Sequence, residues 1–382
     1  MARKALPGLC CAEAWTPTVA DGAAVAARDG RRRGRAAQRR ERGRYRVSNR
    51  RPARAKPLRL SNVATGLARR HRWRDSEMDM ERSRNQPYRG TEGPGWSVEF
   101  QPPNTAPVAI GGIGGSGTRV VARLLERLGY HLGENRNEEL DNLHFTFLFK
   151  RPDLVLMPDA VLAQRIEIFV RTMTGGVPFT DQERSLILDI PDSPPPDFSV
   201  AWFAEQASAL LEAPLPPRPA RGLWGWKEPN THVIIDRLIA SLPTLKYIHV
   251  VRNGLDMAFS PNQNQLKLWG PHFLASENLA VTPRNALRYW RAVHERILAL
   301  RERLAARLFV LSFDQLCQRP ATTLDALLDF LQADPPSRLR EQMRALICPP
   351  VSIGRFKREN LSTFESSDID FVRSLGFETD PG

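Results

Sequence analysis

Four groups of residues in this chain have the types and spacing to handle an anionic substrate. The first is Gly111-Gly-Ile-Gly114-Gly115-Ser116-Gly117-Thr118-Arg119. Glycines let a backbone come close to an anion, and N–H groups at the start of a helix attract phosphate or sulfate. Thr118 adds a hydroxyl and Arg119 a cation. The string satisfies the dinucleotide pattern G-x-G-x-x-G between Gly112 and Gly117, and these two glycines also have P-loop spacing. However, Thr118 and Arg119 stand where a P-loop needs Lys and Ser/Thr. A dinucleotide fold also needs an acid closing a second strand about twenty residues on. Glu134, Glu138 and Glu139 have no clear strand before them. The second group is Lys227-Glu228-Pro229, where a strand-like run delivers an ammonium to the edge of a sheet. The third is Arg252, which ends an apolar run, with Ser260 eight residues later. Arg suits bidentate phosphate recognition. The fourth is the basic loop Ser352-Ile-Gly354-Arg355-Phe-Lys357.

These residues need a frame, and the surrounding pattern describes one. The apolar run 108–110 enters the glycine cluster as a buried strand. Val121, Leu124, Leu125 and Leu128 then recur at helical spacing, and Gly129 stops that helix. Further strands are expected over 223–227, 246–251 and 307–312. Helices are expected over 231–241, 284–306 and 321–331. The expected class is α/β: a P-loop-like central parallel sheet flanked by helices. Between the first two strands, helical patterns at 160–173, 181–188 and 200–211 are separated by proline-rich breaks. Residues 151–222 therefore read as a helical insertion on the acceptor side of the sheet.

In this order the four groups resemble the sulfotransferase superfamily that uses 3′-phosphoadenosine 5′-phosphosulfate (PAPS), over roughly residues 106–360. The motifs are most similar to the tyrosylprotein and bacterial branch. The resemblance implies that Gly114, Gly115, Ser116, Gly117, Thr118 and Arg119 hold the 5′ end of the nucleotide. It implies that Arg252 and Ser260 hold the 3′-phosphate, and that Gly354, Arg355 and Lys357 form the C-terminal nucleotide loop. Lys227 would steady the transferring sulfuryl group. The base for the acceptor would come from Glu134 or Glu138, with Glu139, Asp141, His144 and His232 behind them. One departure is Gly115, where the family usually has Lys or Arg; Lys227 and Arg119 are the nearest replacements. The implied reaction moves a sulfuryl group to an acceptor hydroxyl or amine, without a metal. The residues alone leave two alternatives: a nucleotide-binding oxidoreductase or kinase-like protein, and a non-catalytic PAPS-binding relative.

Composition bounds the rest. The chain has 382 residues and a formal net charge of +13. Residues 1–76 hold 21 Lys and Arg against 5 Asp and Glu, which leaves 34 against 37 in the rest. The basic balance thus belongs to the leader, and a specific nucleic-acid partner is not expected. Residues 1–95 read as a disordered Arg-rich leader, 96–365 as the α/β domain and 366–382 as a tail. The leader also has the arginine-rich, acid-poor composition of an organellar transit peptide, or of an arm for anionic surfaces. It can also be read as sequence upstream of a start at Met78 or Met80. Four cysteines without metal or disulfide spacing point to a reducing compartment such as the cytoplasm. No run of about 18 apolar residues offers a membrane span. The acceptor's class and the oligomeric state are not legible.

Overall fold

The structure is a computed structural model that describes residues 106–381 except 218, 220, 221, 277 and 278. The expectations for the leader lie outside the described residues.

The first strand, β1 (Val108–Gly112), leads through the glycine turn into α1 (Thr118–Arg127). Four helices follow before the chain returns to the sheet: α2 (Leu143–Phe149), α3 (Asp159–Thr174), α4 (Asp181–Leu188) and α5 (Val200–Glu212). Beyond β2 (Gly225–Lys227) lies α6 (Ile235–Ser241). Next come β3 (Lys246–Val251), α7 (Gly254–Ala258), α8 (Asn264–Phe273) and α9 (Pro283–Ala299). The chain continues through α10 (Arg301–Leu304), β4 (Leu308–Ser312), α11 (Phe313–Gln318) and α12 (Pro320–Leu331). It ends with α13 (Ser337–Ala345) and α14 (Ser366–Ser374).

The four strands form one sheet in the order β2-β1-β3-β4, with every neighbour pair parallel. A parallel sheet is covered on both faces, so its strands are mostly apolar rather than alternating with polar residues. Alternation survives in what each residue packs against. Val108 and Ile110 of β1, with Ile248 and Val250 of β3, join Val121, Leu124 and Leu125 of α1 and the leucines of α12. Ala109, Tyr247 and Val251 face the other way, into a core shared with α2, α3, α5 and α9. The helices α3 to α5 between the first two strands therefore pack onto the sheet through one continuous core. Val372 of α14 and Phe377 beyond it join the same core, so the stretch read as a tail is packed against the domain.

Two differences from the sequence reading have local causes. The expected helix 231–241 begins as a 3-10 turn, Pro229–Ile234, before becoming α6. Helix α2 gives no sequence signal because its residues, Leu-His-Phe-Thr-Phe-Leu-Phe, carry no polar face to mark a helical period. Asn142 starts it, accepting a hydrogen bond from the Phe145 N–H at 2.9 Å.

Ligands in open parallel sheets bind beyond the carboxyl ends of the strands, where the strand order reverses. Here β1 lies between β2 and β3, so that reversal flanks the glycine turn.

Candidate active site

A cavity of about 510 Å³ opens at this edge, and all four strand ends reach it: Gly114 after β1, Lys227 and Glu228 at β2, Arg252 after β3 and Phe313 after β4. Gly115, Gly117, Thr118 and Arg119 also line it.

The glycine turn is shaped by its backbone. Gly112, Gly115 and Gly117 have φ values of 150°, 91° and 97°, a region that strains side-chain-bearing residues. A Cβ on Gly117 would also sit 2.2 Å from the Phe313 ring. A Cβ on Gly115 would meet nothing nearer than Met257 Cε at 3.7 Å, so the backbone conformation rather than crowding favours glycine there. Gln265 of α8 braces the turn: its Oε1 accepts from the Gly114 N–H and its amide donates to the Gly112 carbonyl, both at 3.4 Å. The Ser116 hydroxyl oxygen is buried without a hydrogen-bond partner among the described residues. A buried hydroxyl that no described residue satisfies, beside a helix N-terminus, suits an anionic ligand.

Arg252 is buried, with one guanidinium nitrogen donating to the Gly115 carbonyl at 3.3 Å and another to Ser352 Oγ at 3.0 Å. It lies 3.7 Å from the Asp256 carboxylate. Burial lowers its proton affinity, while Asp256 and Asp314 oppose that fall. Asp256 in turn accepts from the Gly354 and Phe356 N–H groups at 2.8 and 3.1 Å. Arg355 donates to the Phe259 carbonyl at 3.2 Å. The basic loop is thus tied directly to Arg252 and to the α7 segment that follows it.

Lys227 is 3 % exposed and donates to the Glu139 carbonyl at 2.9 Å and to the Asp141 carboxylate. Its neighbour Glu228 is also buried, and accepts from Asn230 twice: from the backbone N–H at 2.6 Å and from the side-chain amide at 2.7 Å. Burial first, and then the Asp141 carboxylate, push the Glu228 carboxyl up to about 7, against the pull of Lys150, Asn230 and Lys227.

Not every expected site residue converges on the cavity. Glu134 and Glu138 are exposed and are not among its lining residues; Glu139, Asp141, Asp197 and Glu228 are. Ser260 is not among the lining residues either; it lies just beyond the end of α7, and its hydroxyl accepts from the Asn262 N–H at 3.3 Å. Gly354 and Lys357 line a second cavity of about 240 Å³, and Lys357 pairs with Glu378 at 2.6 Å. Arg119 is half exposed and pairs with Glu139 at 3.5 Å. Of the two expected replacements for a cation at Gly115, Lys227 is therefore the buried one. Sequence reasoning missed Asn230, Asp256 and Gln265. Only Glu228 carried a local signal, as a carboxylate directly after the strand-end lysine. Among the described residues no group of His, Cys, Asp or Glu is arranged to hold a metal, and no helix is long and apolar enough to cross a membrane.

No curated protein sequence matches the chain. Among solved structures it is similar to the sulfotransferase domain of the Synechococcus PCC 7002 olefin synthase, at 15% identity and a TM-score of 0.39, over 75% of this chain and 100% of that one. It is also similar to the sulfotransferase domain of the curacin biosynthetic pathway, at 15% identity and a TM-score of 0.38, over 72% and 98%. A third is sulfotransferase STF9 from Mycobacterium avium, at 16% identity and a TM-score of 0.32, over 63% and 67%. The sequence model of the sulfotransferase family matches residues 107–336. That match spans more than half of the 382 residues and runs from β1 past the end of α12, so the chain belongs to the sulfotransferase family.

Proposed function

We propose that this family member is a PAPS-dependent enzyme that moves a sulfuryl group to an acceptor hydroxyl or amine. The observation that carries the reading is the meeting of the glycine turn, Lys227 and Arg252 on one cavity wall. PAPS supplies a sulfuryl group joined to a good leaving phosphate, and every other requirement falls on the protein. The N–H groups opening α1, with Thr118 and the unpartnered Ser116 hydroxyl, hold the 5′ end. Arg252 holds the 3′-phosphate, in exchange for its bonds to Gly115 and Ser352. Lys227 faces the charge that develops on the bridging oxygen. With glycine at 115, Lys227 is the buried cation available for that task. Asp141 and the Glu139 carbonyl hold it in the cavity wall until the donor arrives.

Glycine at 115 also favours a second reading, a donor-binding relative without turnover. Titration with PAP and radiolabelled PAPS separates the two. The enzyme reading expects tight PAP binding, label transfer, and a loss of affinity of about 10-fold or more in Arg252→Ala, which is what one charged hydrogen bond supplies. Binding without any PAPS cleavage favours the relative.

A further inference from the structure

Four carboxylates line the cavity, and three of them face cations. Glu139 pairs with Arg119 at 3.5 Å, Asp141 with Lys227, and Asp197 with Lys150 at 3.4 Å. Asp197 also accepts from the Asn264 amide at 2.7 Å. Glu228 is the exception: among the described residues no cation lies within ion-pair distance of it, although it is 2 % exposed. A buried carboxylate without an ion pair is costly, and a fold retains one most readily where the group has work to do.

We propose that Glu228 is the general base that takes the proton from the acceptor, a role that rests on the sulfotransferase reading above. Its placement suits the task. Glu228 follows Lys227 on the same strand end, and both line the cavity. A carboxylate offers about four acceptor positions, of which Asn230 fills two. Asn230 is itself anchored: its side-chain oxygen accepts from the Trp269 ring N–H at 2.7 Å, and Trp269 is fully buried. This chain of bonds fixes which end of the amide faces Glu228 and so orients the carboxylate.

The step balances within the site. As the acceptor oxygen bonds to sulfur, its proton passes to a Glu228 oxygen. The bond from sulfur to the bridging oxygen breaks, and its electron pair leaves on the 5′-phosphate of PAP beside Lys227. Glu228 then returns the proton to solvent. The charged and titratable groups facing Glu228 are Asp141 before α2, Lys150 after α2, Lys227 on β2 and Tyr247 on β3. Burial and Asp141 outweigh the two lysines, so the carboxyl titrates at about 7, where a base serves best at neutral pH. The Tyr247 hydroxyl is pushed well above its ordinary value by burial and stays neutral.

The test is Glu228→Gln, which keeps the shape and one acceptor for Asn230. PAP affinity is measured by calorimetry, and PAPS cleavage with water and with 2-naphthol as acceptor probes, between about pH 5.5 and 8.5. The parent chain should lose kcat about tenfold per pH unit below about 7. The variant should be about 100-fold slower or more, flat across the range, with PAP affinity within about threefold. A variant that keeps the parent's rate and acid limb overturns the proposal. So does a variant whose rate falls only in step with its PAP binding and melting temperature, since Glu228 would then be only the cap of the turn at Asn230. A parent chain that binds PAP but cleaves PAPS with neither probe removes the catalytic role. Failure of the parent to bind PAP is a separate result, and rejects the donor reading itself.

Discussion

At the residue scale, the proposed function gives two buried cations different duties. Lys227→Ala removes the charge proposed to face the leaving group and leaves Asp141 without its cation. It should lower kcat by about a hundredfold or more, the range seen when a transition-state donor is lost, while PAP affinity falls much less. Single-turnover rates compared with PAP titrations on the same variant would show this, and a parallel loss of both would mark Lys227 as a simple binding residue. Lys227 and Arg252 were legible in the sequence because each ends a strand whose apolar run announces it. The partners of the carboxylates were not. Asp141 reaches Lys227 across 86 positions of chain, and nothing local to Glu134 or Glu138 showed that their loop would leave them exposed.

At the element scale, the turn from β1 to α1 is rigid by construction. Gly117→Ala combines a left-handed backbone with a methyl driven into the Phe313 ring, which begins α11. It should cost about 1–3 kcal/mol of stability and abolish donor binding, because the N–H groups can no longer converge. Thermal melting together with PAP titration checks both parts; normal binding in a destabilised variant would separate the turn from the site. A contrasting change lies among the helices between the first two strands. Thr180 and Glu183 form a reciprocal cap at the start of α4, so Thr180→Ala should cost about 0.5–2 kcal/mol and leave PAP affinity unchanged. The strands and the long helices could be read because their periods are local. Helix α7 is only five residues long and stops at Ala258, so Ser260 lies beyond it, which the pattern after Arg252 does not show.

At the scale of the whole molecule, one core joins the sheet to the helices above it, and a cluster of buried histidines lies within it. His232, His249 and His294 are buried beside one another, with ring centroids 6.3 Å apart for His232 and His249 and 5.1 Å for His249 and His294. Burial lowers all three, His294 to about 4 and His232 to about 3. The unfolded chain therefore binds more protons than the folded one below about 6.5, and stability falls as pH drops from there towards about 4. Each histidine contributes about 1.4 kcal/mol per pH unit in that window. Glu228, raised in the folded state, offsets one of the three between its ordinary value of 4.5 and about 7. Melting temperature should drop steadily from about pH 6.5 to 4.5, and a flat profile would refute the neutral cluster. The pattern of strands and helices had announced the sheet, but not this cluster, since its three members lie on separate elements. The most direct test of the two-part nucleotide site compares PAP with AMP, which lacks the 3′-phosphate, by calorimetry on the parent chain and on Arg252→Ala. The parent should prefer PAP by about tenfold or more, and the variant should lose this preference. Equal affinity for the two nucleotides in the parent, or a preference that survives in the variant, would contradict the assignment of Arg252 to the 3′-phosphate.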